Sequence, residues 1–558
     1  MPVESRQPTS GLASDDPRIT ATQGPYPLPS AIGPGSQAGL GCLAMVIGLV
    51  LLSSNESIAQ VLAQGLPWRA EVASAGTNVP SFADVAPTIL WRSGIVMLIF
   101  GILLLLGLVV SVPEWLRRKN VGRITALLVV VGTGVWYGWL SYPHNAFPSN
   151  ARFHWVDYLT YDSDNFFYAA GRLPHMLFYE IPHVWQGLNA SVVAGLCYII
   201  ARQLRLSQWN SAAIACVPAV SGNMLLFANT AEDVMINLAL LLGVVSALLS
   251  RRAILVGVVL ALAVVGRPSF IAFIPCLMLA EAIRSFRATT SLRDVEWRFL
   301  SIAGVAFIVL TLAAQTMFTA LGDRYFFVDG RVVDTGIWDN QIPLEVDGFT
   351  IFPFSGTYFL HLLWVTPFVS LAAGVIALFV ARGRTIAVQT TVYTCGLAVV
   401  THLLIHEAKP TFYYNVRYLT YALPFILFLG WAAVSDRRVP RRGGVQAALV
   451  ALLVLGMFVF PARAIELKGR VEARIDHELL AVKDELRAIV GDRRVLLDYG
   501  DRDSRNYVAY VLRGNINSIR LLKDSALEPR DVVISKVEDP WSTAEPVIET
   551  DSFLVFDP

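Results

Sequence analysis

Apolar residues in this chain gather into long runs of helix-span length, such as 95–112 and 299–321. A hydrocarbon layer about 30 Å thick takes roughly 20 residues of α-helix to cross. Inside it every backbone polar group must be satisfied within the segment, so such runs fold as membrane helices. Composition agrees. Of 558 residues, 55% are hydrophobic and 16% are charged, against about 25% charged in ordinary soluble domains. The net charge of +1, with no basic domain and no aromatic-rich nucleic-acid motif, gives no footprint for nucleic acid as a partner.

Hydropathy places spans at 38–54, 92–112, 123–141, 189–204, 211–228, 233–250, 253–266, 268–283, 298–321, 358–380, 386–405, 417–434 and 445–462. Basic residues accumulate in cytoplasmic loops. With the N-terminus inside, alternate loops carry Arg117, Arg118, Lys119 and Arg123, then Arg202 and Arg205, then Arg251 and Arg252. The series runs on through Arg284, Arg287, Arg293 and Arg298, then Arg382 and Arg384, to Arg437, Arg438, Arg441 and Arg442. Sidedness holds only if the apolar stretch 253–282 is two short spans broken at Gly266-Arg267-Pro268, where proline stops a helix. Thirteen spans then leave the C-terminus outside.

The fold expected is therefore an all-α polytopic membrane protein with a small extracytoplasmic α/β domain. Residues 1–36, rich in Pro, Gly and Ser, read as a disordered cytoplasmic tail. The first apolar run lies too far in for a cleaved signal peptide and reads as a signal anchor. Residues 37–122 hold two N-terminal spans, 123–463 the main membrane domain, and 464–558 the outer domain. That last segment shows an amphipathic helical pattern over 465–490, then strand-like runs at 495–497, 519–522, 532–534 and 553–556. Cys42, Cys197, Cys216, Cys276 and Cys395 all sit in apolar spans, which leaves no disulfide framework and no zinc spacing. Arginine supplies most of the 44 basic residues, a usage that fits a GC-rich bacterial genome and so a bacterial inner membrane.

Four outer clusters carry chemistry. Asp162 and Asp164 lie in Tyr161-Asp162-Ser163-Asp164-Asn165-Phe166-Phe167-Tyr168, within the long outer loop after the third span. A carboxylate beside an aromatic interfacial segment can take a proton from a hydroxyl acceptor. The plain alternative is that Asp162 caps a helix and Asp164 steadies its first turn. Glu232 and Asp233 sit in a short outer turn, either as a helix N-terminus or as hydrated functional acids. Arg267 stands between two short spans, suited to an anionic partner such as a lipid phosphate or to a salt bridge with a neighbouring loop. His406 and Glu407, with Arg417 and Tyr418, crowd a further outer turn, where Lys409 and Tyr418 also fit an interfacial anchor.

Taken in order and sidedness, these motifs resemble the GT-C superfamily of membrane glycosyltransferases. The resemblance runs over about 124–433 and rests on Asp164-Asn165-Phe166-Phe167-Tyr168, Arg267-Pro268 and His406-Glu407…Arg417-Tyr418-Leu419…Leu423-Pro424. Asn165 stands where the family has a second acid, which leaves both Asp162 and Asp164 as candidates for the base. The acidic loop follows the third span rather than the first, so the first two spans read as an addition. The resemblance implies a polyprenyl-phosphate sugar as donor, a membrane lipid as partner, and a glycan, glycolipid or protein as acceptor. It gives Asp164 the role of base, Arg267 and Arg417 that of holding the leaving phosphate, and His406 and Glu232 that of shaping the acceptor site. A divalent metal is an option, since some such families use one, although no clean ligand spacing supports it. An O-antigen-type polymerase or ligase is the competing enzyme class, but loop 322–357 is short for it. A transporter would show inverted repeats around a midplane site, and none is visible here.

The basic-loop alternation predicts that single cysteines at Ser36 and Pro558 are labelled from opposite faces of intact vesicles. Labelling of both from one face would rule out thirteen spans.

Overall fold

The computed structural model describes residues 34–65, 82–109, 119–141, 182–204, 206–220, 234–266, 273–289, 296–320, 344–346, 349–351, 477–499 and most of 519–557, with single residues between. The helices that precede the C-terminal unit among them are α1 (Pro34–Ser53), α2 (Asn55–Gly65), α3 (Phe82–Val109), α4 (Lys119–Ser141), α5 (Pro182–Gln203), α6 (Gln208–Ala215), α7 (Val217–Val220), α8 (Val234–Leu249), α9 (Ala253–Gly266), α10 (Phe273–Thr289) and α11 (Trp297–Ala320). Val121–Ser141, His183–Gln203 and Trp297–Ala314 are long and apolar enough to cross a membrane; Gln37–Ser53 with Asn55–Val61, bent by 80°, makes a fourth if that pair is one span. The four spans expected between 358 and 462 lie almost entirely outside the described residues.

Helix ends depart from the apolar runs for local reasons. Helix α3 starts ten residues before its apolar run, with Pro87 near its beginning, because hydropathy marks the lipid-embedded part of a helix and not its termini. Helix α5 opens on Pro182, a residue whose fixed φ and missing N–H suit the first helical position. The span expected over 211–228 begins three residues early, with Ser207 accepting from the Asn210 amide at 3.2 Å, and breaks at Cys216. Pro218 causes that break, since its ring has no N–H to reach back to Ile214. The stretch expected to split at Gly266-Arg267-Pro268 is indeed two helices, α9 ending at Gly266 and α10 starting at Phe273. Cys42, Cys197 and Cys216 are free thiols.

Apolar side chains face outward in helical stripes. Ile124, Leu127, Leu128, Val131 and Val135 of α4 are exposed, as are Val305, Ile308, Val309 and Leu312 of α11. Spacings of three and four residues put each set on one helix face, which suits hydrocarbon. The chain is a multi-pass membrane protein.

Helices meet where side chains are small. Antiparallel α1 and α3 each carry two glycines seven residues apart, Gly41 with Gly48 and Gly94 with Gly101. A Cβ placed on Gly48 would lie 2.7 Å from the Leu98 nitrogen and 2.8 Å from the Gly94 oxygen; one on Gly101 would lie 2.6 Å from the Gly41 oxygen. Gly134 of α4 meets Gly187 of α5 in the same way, and Gly257 of α9 lies against Ala303 of α11. In lipid, packing at small residues replaces the hydrophobic drive that water would supply.

Outside the helices, β1 (Leu344–Val346) and β2 (Phe349–Ile351) pair antiparallel within loop 322–357. The intervening Asp347-Gly348 is the strongest short hairpin signal, and the sequence reading passed over it. The C-terminal unit has α12 (His477–Ala481), α13 (Lys483–Val490), β3 (Val495–Leu497), β4 (Ile519–Leu521), β5 (Val532–Lys536), β6 (Ile548–Glu549) and β7 (Phe553–Phe556). Its sheet runs β4-β3-β5-β7-β6, with β3 parallel to β4 and β5 and the other pairs antiparallel. Strand β3 and the first three residues of β5 are continuously apolar because both faces are covered there. Leu479, Leu486 and Val490 pack on one face; Leu522 and Trp541 cover Leu496, Val533, Leu554 and Phe556 on the other. The two-residue β6 was not anticipated, being too short to leave a pattern.

Asp531 ties this unit together. Arg494 donates to it through Nε at 2.9 Å and Nη2 at 2.6 Å, and the Glu528 amide donates at 2.7 Å. The guanidinium hydrogen bonds hold the Asp531 carboxyl below its ordinary range.

Two outcomes follow from these contacts. Gly48→Leu destabilises the purified protein by roughly 1–3 kcal/mol through overpacking, whereas Gly39→Leu, whose Cβ meets open space, leaves thermal unfolding unchanged. Asp531→Asn costs about 2 kcal/mol at pH 7, as expected for hydrogen bonds to a charged group. Since the folded carboxyl titrates below its unfolded value, its contribution is present above about pH 4 and is lost as pH falls through the folded pKa. The gap in melting temperature between wild type and variant therefore closes from pH 7 toward pH 3.

Candidate active site

All the candidate residues, Asp162, Asp164, Glu232, Asp233, Arg267, His406, Glu407, Arg417 and Tyr418, lie outside the described residues. The helices that flank several of them are described, and their ends can be compared. Antiparallel α4 and α5 approach at Gly134 and Gly187, and Gly138 nears the His183 carbonyl. The C-terminus of α4 and the N-terminus of α5, between which the chain carries Asp162 and Asp164, therefore share one end of the bundle. At the other end Gln203 of α5 donates to Ser246 Oγ at 3.1 Å and Ser250 Oγ at 2.8 Å beside the C-terminus of α8. Helix α8 thus runs parallel to α5, and its first residue, Val234, lies at the α4–α5 end. Glu232 and Asp233 precede Val234 directly in sequence. Helix α9 returns antiparallel to α8 after a turn of Ser250-Arg251-Arg252, so Gly266, which Arg267 follows, ends where α8 begins. The flanks of the acidic loop, the acidic turn and the Arg-Pro turn are on one side.

That end has an aromatic and amide rim. Trp136 stacks on Trp139 with centroids 5.4 Å apart. The buried Tyr137 hydroxyl donates to the Pro218 carbonyl at 2.7 Å, and Ser141 Oγ to the Tyr137 carbonyl at 2.7 Å. Gln186 and Asn189 of α5 are buried nearby in the same helix. Aromatic side chains with one polar edge fit a membrane–water boundary.

The opposite end holds an ionic cluster that sequence reasoning missed. Arg251 meets Glu281 through two bonds of 3.0 Å, and Arg284 Nε donates to the same carboxylate at 3.0 Å. Glu296 accepts from Arg284 at 3.2 Å and also from Arg251. The Arg251 guanidinium lies 4.2 Å from the Phe299 ring centroid, within cation–π range. The side chains of Glu281 and Arg284 are 2% and 4% exposed. Arg251 and Arg284 entered the sequence reading only as loop charges. Glu281, placed three residues before Arg284 in an apolar stretch, was the available signal, since acids there need partners. Among the described residues no three His, Cys, Asp or Glu gather as a metal site.

No family model and no curated protein matches this sequence. Among solved structures, the chain aligns with apo ArnT from Cupriavidus metallidurans at a TM-score of 0.50 and 11% identity, over 79% of this chain and 97% of that one. The chain shares the fold of this ArnT. The same ArnT bound to undecaprenyl phosphate aligns at 0.44 and 13% identity, over 80% and 98% of the two chains. An Archaeoglobus fulgidus oligosaccharyltransferase tethered to an acceptor peptide aligns at 0.41 and 9% identity, over 73% and 64%. Both scores are below 0.5 and add nothing to that fold likeness.

Proposed function

We propose that this chain is a membrane glycosyltransferase that moves one sugar from a polyprenyl-phosphate donor to a hydroxyl acceptor outside the cytoplasm. The acceptor is a cell-envelope glycan, a glycolipid or a protein, and the membrane a bacterial inner membrane. The observation that carries the reading is the common end shared by the flanks of Asp162/Asp164, Glu232/Asp233 and Arg267. It is supported by a GT-C fold, and the ArnT of that fold has been solved with undecaprenyl phosphate. Residues 123–463 form the catalytic membrane domain in this proposal, within thirteen spans. The α1–α3 pair is an N-terminal addition, and 464–558 is an outer domain.

In this mechanism Asp164, or Asp162 in its place, takes the proton of the acceptor hydroxyl. The oxygen attacks the anomeric carbon, and the bond from that carbon to the phosphate oxygen breaks with inversion. The electron pair leaves on the lipid phosphate, where Arg267 and Arg417 offset the charge. Fixed guanidinium donors suit this role because they need no reorganisation as charge develops. Glu232, Asp233, His406, Glu407 and Tyr418 shape the acceptor side.

Asp164→Asn keeps shape and loses the base. Transfer of label from extracted polyprenyl-phosphate sugars falls by about 10²–10⁴-fold, the usual contribution of a general base, while the purified protein stays monodisperse. Loss in Asp162→Asn with a normal rate in Asp164→Asn would exchange their roles. Normal rates in both would refute the mechanism.

A further inference from the structure

Helix α1 ends abruptly. Its 20 residues make a rod of about 30 Å, the thickness of a hydrocarbon layer. The apolar sequence then gives way to Ser53-Ser54-Asn55. Ser53 Oγ donates to the Val50 carbonyl at 3.3 Å, and the chain turns by 80° into α2. Adjacent small polar residues are a common cause of such a kink. An axis at that angle to a spanning helix runs nearly in the membrane plane.

The neighbouring helix marks the same level. Helices α1 and α3 run antiparallel with Leu52 against Gly94, so Asn55 stands level with Trp91. Trp91 is 37% exposed, and tryptophans gather where a membrane meets water. The Asn55 side chain donates to the Pro87 carbonyl at 3.4 Å, which ties the start of α2 to α3 at that boundary.

Helix α2 has three sides. Asn55 and Ala59, four residues apart, share one of them, and Ala59 is 2% exposed. Glu56, Ser57 and Gln60 are exposed. Apolar residues recur at 58, 61 and 62, a helical arc of about 100° turned away from Glu56 and Gln60. Val61 is 67% exposed. Water all round would leave that arc bare, and a span continued through lipid would carry Glu56 and Gln60 into hydrocarbon. Both costs vanish where lipid and water meet along the helix.

We infer that α2 docks flat on the lipid bilayer at the face where α1 ends, with its apolar arc at the acyl boundary and Glu56 and Gln60 in water. The only charge between 54 and 67 is Glu56. Apolar burial and the Asn55 tie therefore hold the helix, without the attraction to anionic lipid that Lys and Arg give to basic surface helices.

The test uses full-length protein, its five cysteines replaced by alanine, in phosphatidylcholine vesicles. Leu43→Cys, Gln60→Cys and Val61→Cys are spin-labelled one at a time; all three positions are exposed, so packing is undisturbed. Collisions with oxygen, which enters lipid, are compared with collisions with a water-soluble nickel chelate. The label at 61 favours oxygen at a depth of about 5–10 Å, the label at 60 favours the chelate, and the label at 43, midway along α1, lies deepest. Adding phosphatidylglycerol moves none of them. Preference for the chelate at both 60 and 61 would place α2 in water, and preference for oxygen at both would make it part of a span. A label at 61 shielded from both reagents would show protein covering the arc. Each of these outcomes overturns the docking, and a depth at 61 that grows with phosphatidylglycerol overturns its apolar basis.

Discussion

Close approach of backbones at glycine is the contact on which the membrane part depends. Lipid is as apolar as leucine, so a helix gains nothing from hiding leucine against another helix. What remains is dispersion between surfaces near enough to touch, and those surfaces need residues without bulk. Gly48 against Gly94, Gly134 against Gly187 and Gly257 against Ala303 are three instances in three helix pairs. Leucine and valine are left facing outward, as on α4 and α11. The arrangement inverts the soluble pattern, with small residues at the contacts and large ones at the periphery.

Once α4, α5, α8 and α9 are packed in this order, polarity sorts to the two ends of the bundle. One end receives the described flanks of the acidic loop, of the acidic turn and of the Arg-Pro turn, with Trp136 and Trp139. The other receives Arg251, Glu281, Arg284 and Glu296, which satisfy one another. A buried carboxylate with two guanidinium partners is costly to assemble and more costly to break, so such a cluster serves geometry better than net stability.

The C-terminal unit obeys the rules of water. Its central strands are short and largely apolar and buried, and its buried acid, Asp531, is paired by Arg494 and a backbone amide. Hydrophobic burial drives this packing as it does in any soluble domain, and no glycine contact is needed.

Among the described residues, several helices and strands fall where the apolar pattern put them, Val495–Leu497, Phe553–Phe556 and α9 at 253–266 among them. The candidate residues were legible only as chemistry in sequence; the flanks of the acidic loop, the acidic turn and the Arg-Pro turn gained a common end from packing. Glu281 went unread although Arg284 stands three residues on; its second partner, Arg251, is thirty residues away and appears only in the fold. The break at Cys216 depended on Pro218 two residues later, and the β1–β2 hairpin on a dipeptide inside a polar loop. Hydropathy and turn chemistry act over a few neighbouring residues, so the sequence by itself determined which segments enter the membrane and which form the sheet. Which glycine meets which backbone, and that Arg251 meets Glu281, depends on residues thirty or more apart arriving at one point. Only the tertiary structure decided that, because contact energies fall away within a few ångströms and are absent until the helices are packed.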